Sequence, residues 1–73
     1  MPRLPILSGE EAIKVLEKIG YHQIRQRGSH IRLAHSLKKS VTVPNYKIIS
    51  RGLLRKILRD AEVSTEEFLK YLK

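Results

Sequence analysis

Between Tyr21 and Pro44 apolar residues alternate with polar ones, whereas on either side of that block they recur every three or four positions. A period of two fits a strand with one buried face, and a period near 3.6 fits a helix with one buried stripe. The chain therefore reads as a block of strands held between helical segments. That combination is an α+β arrangement.

The individual elements follow from local chemistry. Ser8-Gly9-Glu10-Glu11 has the capping-box form S-x-x-E and opens a helix over Gly9 to Ile19, with Ala12, Ile13, Leu16 and Ile19 as its apolar stripe and Gly20 ending it. In the first strand, Tyr21 to Arg27, Ile24 is the clear inward residue and His22 shares its parity, while Gln23, Arg25 and Arg27 take the other face. Gly28-Ser29 forms a tight turn. In the second strand, His30 to His35, Ile31 and Leu33 point inward, with His35 sharing their parity at the strand end, and His30, Arg32 and Ala34 point outward. Ser36 to Lys39 turn the chain again. Val41 and Val43 face inward in the third strand, Thr42 outward, and Pro44 ends the pairing.

The result is an antiparallel meander with one wet face, whose register is set by its apolar set. After the loop 45–49, Ser50 caps a helix that buries Leu53, Leu54, Ile57, Leu58 and Ala61 and carries Arg51, Arg55 and Arg59 as a basic ridge. Ser64-Thr65-Glu66-Glu67 repeats the capping pattern and starts a short last helix with Phe68, Leu69 and Leu72 buried, and with Lys70 and Lys73 near its C-terminal dipole. The order α-β-β-β-α-α describes a two-layer domain, a three-stranded antiparallel sheet with helices on one face, similar in layout to the double-stranded-RNA-binding fold.

Seventy-three residues allow one domain, taken as 1–73, with one modest core. There is no Cys, so neither disulfides nor thiolate zinc can staple it, and apolar packing (41% of residues are hydrophobic) must hold it. The opening segment from Met1 lacks a signal-like apolar run, and no stretch nears the roughly 20 apolar residues of a membrane span. A soluble cytoplasmic protein is expected. Fifteen Lys and Arg against seven Asp and Glu, net +8, favour a polyanionic partner, nucleic acid above all.

His30 is the side chain best placed for chemistry. It follows a glycine turn and shares the polar face with Arg25, Arg27 and Arg32. Neighbouring cations favour a neutral ring able to accept a proton, and an approaching phosphate favours the protonated ring that can return one. RNA brings its own nucleophile, the 2′-hydroxyl, so a histidine among arginines suffices for a minimal ribonuclease. An ordinary exposed histidine beside a turn fits the same pattern. His22 and His35 read as structural or edge residues, and the three histidines match no zinc motif, so no metal or other cofactor is expected. The ridge of Arg51, Arg55 and Arg59 fits a phosphate strip, a docking surface or a solvated helix face. Tyr21, Tyr46 and Tyr71 fall in three separate segments, which gives little support for a base-stacking platform.

Leu4 to Glu11, the break at Gly20, Arg25-Gln26-Arg27-Gly28-Ser29-His30, Val41-Thr42-Val43-Pro44 and Arg51 to Arg59 together resemble HicA toxins, also described as YcfA-like proteins. The resemblance runs in order from Leu4 to Leu72, and Arg27-Gly28-Ser29-His30 between two strands is its most specific part. It implies a metal-independent endoribonuclease that cleaves mRNA, blocks translation and is neutralised by a HicB-type antitoxin. It also implies that His30 is catalytic. Arg25, Arg27, Ser29, Arg32, Lys47, Arg51 and Arg55 are expected to form the RNA-binding set around it. The chain departs from the family pattern at Tyr46, where a His is often found, at Leu53, where a Thr is common, and at Glu62, where a Gly is common. A non-catalytic RNA-binding module and a pure interaction subunit with an acidic partner are the alternatives.

Overall fold

The computed structural model describes residues 3–72, so Lys73 of the last-turn pair lies outside the described residues, as do Met1 and Pro2. Six elements follow in the order α1 (Gly9–Ile19), β1 (His22–Arg27), β2 (His30–Ala34), β3 (Val41–Pro44), α2 (Arg51–Ala61) and α3 (Thr65–Lys70). The strands form one antiparallel sheet in the order β1-β2-β3. The α+β arrangement is as expected.

Each helix begins where a serine satisfies amides that would otherwise lack a partner. The Ser8 hydroxyl accepts the Glu11 N–H at 3.1 Å, and the Glu11 carboxylate accepts the Ser8 N–H at 2.9 Å. That backbone bond first, and the hydroxyl second, hold the Glu11 carboxyl below its ordinary range. Ser50 caps α2 through the Leu53 N–H, and Ser64 caps α3 through the Glu67 N–H. The α2 end is less usual. Glu62 is left-handed, at φ 59°, because the Val63 N–H must turn back to the Leu58 carbonyl and the Glu62 N–H to the Arg59 carbonyl.

Ile31 and Leu33 of β2 and Val41 and Val43 of β3 are all buried, against Ala12, Ile13, Val15 and Leu16 of α1, Leu54, Ile57 and Leu58 of α2, and Phe68 of α3. Both long helices pack on β3. Leu53, Leu69 and Leu72, expected in the core, are only half-buried, Leu53 and Leu72 against its rim. Val15 was missing from the expected α1 stripe and is buried. Leu4, Leu7 and Ile49 close the remaining side: Leu7 and Ile49 form an antiparallel bridge, and the Ile49 N–H donates to the Leu7 carbonyl at 2.6 Å.

β1 departs from the expected parity. Its pairing with β2 runs Gln23 to Leu33 and then Arg25 to Arg32, so Ile24 is an extra residue, a β-bulge. The bulge places Gln23 on the helix side, where it lines a cleft with Ile13 and Ile31, and turns His22 outward to pair with Ala34. Ile24, expected inside, is 53% exposed on the open face. All six residues of β1 are exposed, so no buried side chain fixed its parity. Arg25 and Arg27 lie outward as expected.

Two backbone sites generate opposite predictions. A Cβ on Gly9 would sit 2.1 Å from the Pro44 carbonyl oxygen and 2.7 Å from the Asn45 Cα, and backbone cannot swing aside. Gly9→Ala is expected to destabilise the fold by about 1–3 kcal/mol. Glu62→Gly relieves a left-handed residue whose cost of roughly 1–2 kcal/mol exceeds glycine's entropic penalty, and should stabilise by up to about 1 kcal/mol. Urea midpoints with an unchanged slope check both.

A third prediction comes from Tyr21, which is buried and donates its hydroxyl to the Lys39 carbonyl at 2.8 Å. Burial first, and the Glu62 charge second, raise its pKa. The fold thus prefers the neutral phenol, and its contribution is complete below the unfolded pKa and is lost as pH climbs through the folded one. Tyr21→Phe should cost about 1 kcal/mol at neutral pH, and the mutant's stability should fall less than wild type's in strong alkali.

Candidate functional site

The outward face of the sheet is set by the burial of its other side. With Ile31 and Leu33 inward, His30 and Arg32 of β2 must point out, and the register then places Arg25 opposite Arg32 and Arg27 opposite His30. Like charges directly across a ladder repel. The Arg32 guanidinium donates to the Thr42 hydroxyl at 3.0 Å, whereas Arg25 and Arg27 have no protein acceptor among the described residues. Ile24, Arg25, Arg27, His30, Arg32 and Thr42 surround an open concavity of about 400 Å³. A concave surface walled by three guanidinium groups, with an imidazole at one end, is built for an anion.

The hairpin turn holds His30 at the rim. Gly28 sits at φ 59° with Ser29 at negative φ, the combination a type II′ turn requires. The Gln26 amide donates to the Gly28 carbonyl at 3.0 Å, and the Asn45 N–H donates to the Ser29 carbonyl at 2.6 Å, so the turn is tied to its own strand and to the loop after β3.

The three histidines separate by their bonds. His35 accepts the Leu37 N–H on Nδ1 at 2.9 Å, which leaves Nε2 as the protonated nitrogen, donating to the Ile19 carbonyl at 3.2 Å, and its ring packs edge-on to Tyr21. Both nitrogens are committed to joining the end of α1 to the end of β2. The Gly20 position lies against this ring, since a Cβ there would meet Nε2 at 2.7 Å. The exposed His30 ring has no hydrogen-bond partner among the described residues and stands edge-on to the Tyr46 ring, 6.4 Å between centroids at 72°. His22 is exposed and stands outside the concavity.

Other candidates are placed apart. Ser29 contributes its carbonyl to the turn, Lys47 is exposed in the loop 45–49, and Arg55 and Arg59 are exposed on α2. Arg51 is half-buried and donates its Nε–H to the Leu4 carbonyl at 2.6 Å, tying the N-terminal segment to α2. Neither these residues nor Tyr46 line the concavity. Among the described residues no three His, Asp or Glu side chains gather where they could hold a metal ion, and no helix is long and apolar enough to cross a membrane.

The order of charges along the chain carries a further signal. All seven acidic residues lie at or before Glu17 or at or after Asp60, so every charged side chain from Lys18 to Arg59 is positive. Lys14 pairs with Glu10 and Lys56 with Asp60, both along helices. The sheet arginines therefore have no carboxylate to neutralise them, and the open face keeps its field.

The family model described as HicA toxin of bacterial toxin-antitoxin matches residues 9–63, well over half of the chain. No individually curated protein matches it. The matched span begins at the first residue of α1 and runs past the end of α2, so it includes the whole sheet, the Gly28-Ser29 turn and His30. The chain belongs to the HicA toxin family, on the toxin side of a bacterial toxin–antitoxin partnership.

Proposed function

We propose that this toxin is a metal-independent endoribonuclease that cleaves mRNA on the open face of its sheet, with His30 as the catalytic residue. The observation that carries it is the His30 ring, with neither nitrogen engaged, at the rim of a concavity walled by Arg25, Arg27 and Arg32. The lining carries three guanidinium groups and no carboxylate to hold a divalent metal. Charge on a phosphate is therefore met by guanidinium groups.

The chemistry these groups can perform is internal transphosphorylation. His30 takes the proton from a ribose 2′-hydroxyl as its oxygen bonds to the adjacent phosphorus. The bond from phosphorus to the 5′-oxygen of the next nucleotide breaks, that oxygen takes a proton from solvent water, and the His30 imidazolium returns its own proton to solvent. The fragments carry a 2′,3′-cyclic phosphate and a 5′-hydroxyl. The arginines meet the negative charge that concentrates on the non-bridging oxygens in the transition state. Lys47 and Arg55, exposed outside the concavity, are assigned to flanking phosphates, with Ser29 at the turn and Arg51 beside the N-terminal strap completing the RNA-binding set. A HicB-like antitoxin with an acidic contact surface would neutralise the toxin by covering the same basic face. A cytoplasmic site of action accords with mRNA as the target.

Purified wild type is expected to cut single-stranded RNA in EDTA, and His30→Ala to cut at least about 100-fold more slowly with an unchanged thermal transition, since the ring is exposed and makes one edge contact. Expression of the chain alone should arrest growth, and the variant should not. Wild-type rates from His30→Ala would sink the catalytic assignment. Intact RNA retained by wild type would instead mark a non-catalytic RNA-binding module. A companion test uses an RNA oligonucleotide in which the nucleotide 5′ to the cut carries 2′-deoxyribose. It should resist cleavage at that linkage only, and cleavage there would rule out the 2′-hydroxyl as nucleophile.

A further inference from the structure

The chain has four aromatic residues, three Tyr and one Phe. Phe68 and Tyr21 are buried and Tyr71 is half-buried against the core. Tyr46 alone is an exposed aromatic, with 46% of its surface in solvent. An isolated exposed ring is ordinary. The way this one is held is not.

Its backbone is fixed from two directions. The Tyr46 carbonyl accepts the Gly9 N–H at 2.8 Å, and the preceding Asn45 N–H donates to Ser29, the residue before His30. The loop lies so close to the start of α1 that the Gly9 position leaves no space for a Cβ beside Pro44 and Asn45. The Tyr46 and His30 rings stand at 72° with centroids 6.4 Å apart, an edge-to-face contact. The hydroxyl has no partner among the described residues. A pinned aromatic with an open surface, next to an unengaged imidazole and an acid-free stretch of chain, offers what a single-stranded nucleic acid uses: a π-surface for a base beside cations for its phosphates.

We infer that Tyr46 is a nucleobase-stacking residue, holding one base of the RNA so that the phosphate next to that base lies at His30. One ring serves one base, so the wide separation of the other tyrosines does not weigh against it. Stacking engages the π-surface of any base, so Tyr46 contributes affinity and placement more than sequence preference. The phenol hydroxyl has no part in it. The inference rests on the ribonuclease assignment above, because it needs RNA at the same face.

The test uses binding to the full chain carrying His30→Ala, so that RNA is not consumed. Fluorescence anisotropy measures the dissociation constant of a short single-stranded RNA and of an abasic ribose–phosphate strand of equal length, for that parent and for versions with Tyr46→Phe or Tyr46→Ala added. The expected result is RNA binding unchanged by Tyr46→Phe and weakened about tenfold by Tyr46→Ala, with the abasic strand bound equally by all three. RNA binding equal for Tyr46→Ala and the parent would overturn the stacking role while leaving the ribonuclease assignment intact. Equal loss in Tyr46→Phe, or loss of abasic-strand binding in Tyr46→Ala, would also overturn it, as these outcomes mark a hydroxyl contact or a structural role. A parent that binds no RNA while wild type cuts none would remove both assignments together. With His30 restored, Tyr46→Ala should raise KM for RNA more than it lowers kcat.

Discussion

The structure depends on the burial of four side chains, Ile31, Leu33, Val41 and Val43, beneath α1 and α2. Each contributes roughly 1.5–3 kcal/mol on leaving water, so together they are comparable to the whole net stability of a small domain. Facing Arg25 against Arg32 costs at most about 1 kcal/mol. Burial wins by a wide margin, and the arginines and His30 go wherever the opposite parity sends them. The arginine-lined face is thus an obligatory consequence of core formation on the other side. A one-residue slip would expose the four apolar side chains and bury the cations, which no part of this chain could compensate.

Legibility in the sequence follows the same rule: elements with a buried set could be read, and elements without one could not. The helices α1 and α2 and the strands β2 and β3 each carry apolar residues at a defined period, and serines mark the helix starts. Their positions follow almost residue by residue. β1 has only Ile24 as a candidate anchor, and an edge strand exposed throughout has nothing to penalise an extra residue. The bulge at Ile24 is therefore invisible in the pattern, and it reversed the expected faces of His22 and Gln23. The N-terminal segment was missed for another reason. Leu4 and Leu7 are both buried, Leu7 pairs with Ile49 more than forty residues away, and no local period announces such a bridge.

The site was legible to about the same depth. Alternation along β2 placed His30 with Arg32, and it placed Arg25 and Arg27 there as well because the bulge lies upstream of both. Parity already set His35 apart from His30 as a structural or edge residue, but how its ring is held could not be read. The two residues lie five positions apart, and only hydrogen bonds to Leu37 and Ile19 reveal that one ring joins two elements while the other is uncommitted. Arg51 shows the converse. It belongs to a helical ridge by spacing, yet its guanidinium holds the Leu4 carbonyl, a partner that only tertiary structure supplies.

The constraint that packs the sheet also decides how the site can move. The Ser29 carbonyl receives the Asn45 amide, so the turn that presents His30 and the loop that presents Tyr46 share one hydrogen bond at their base. Gly9, pressed against Pro44 and Asn45, couples that base to the start of α1, whose capping box is closed by Ser8 and Glu11. A displacement of the loop would have to break the Asn45 and Gly9 bonds together, at about 1 kcal/mol each, and open a tightly packed backbone contact. The imidazole and the phenol ring are therefore carried on one rigid frame, while the side chains of Arg25 and Arg27 extend from an exposed edge strand with no acceptor. Rigid rings and adaptable cations suit a polymer whose phosphates must be gathered before its bases can be placed.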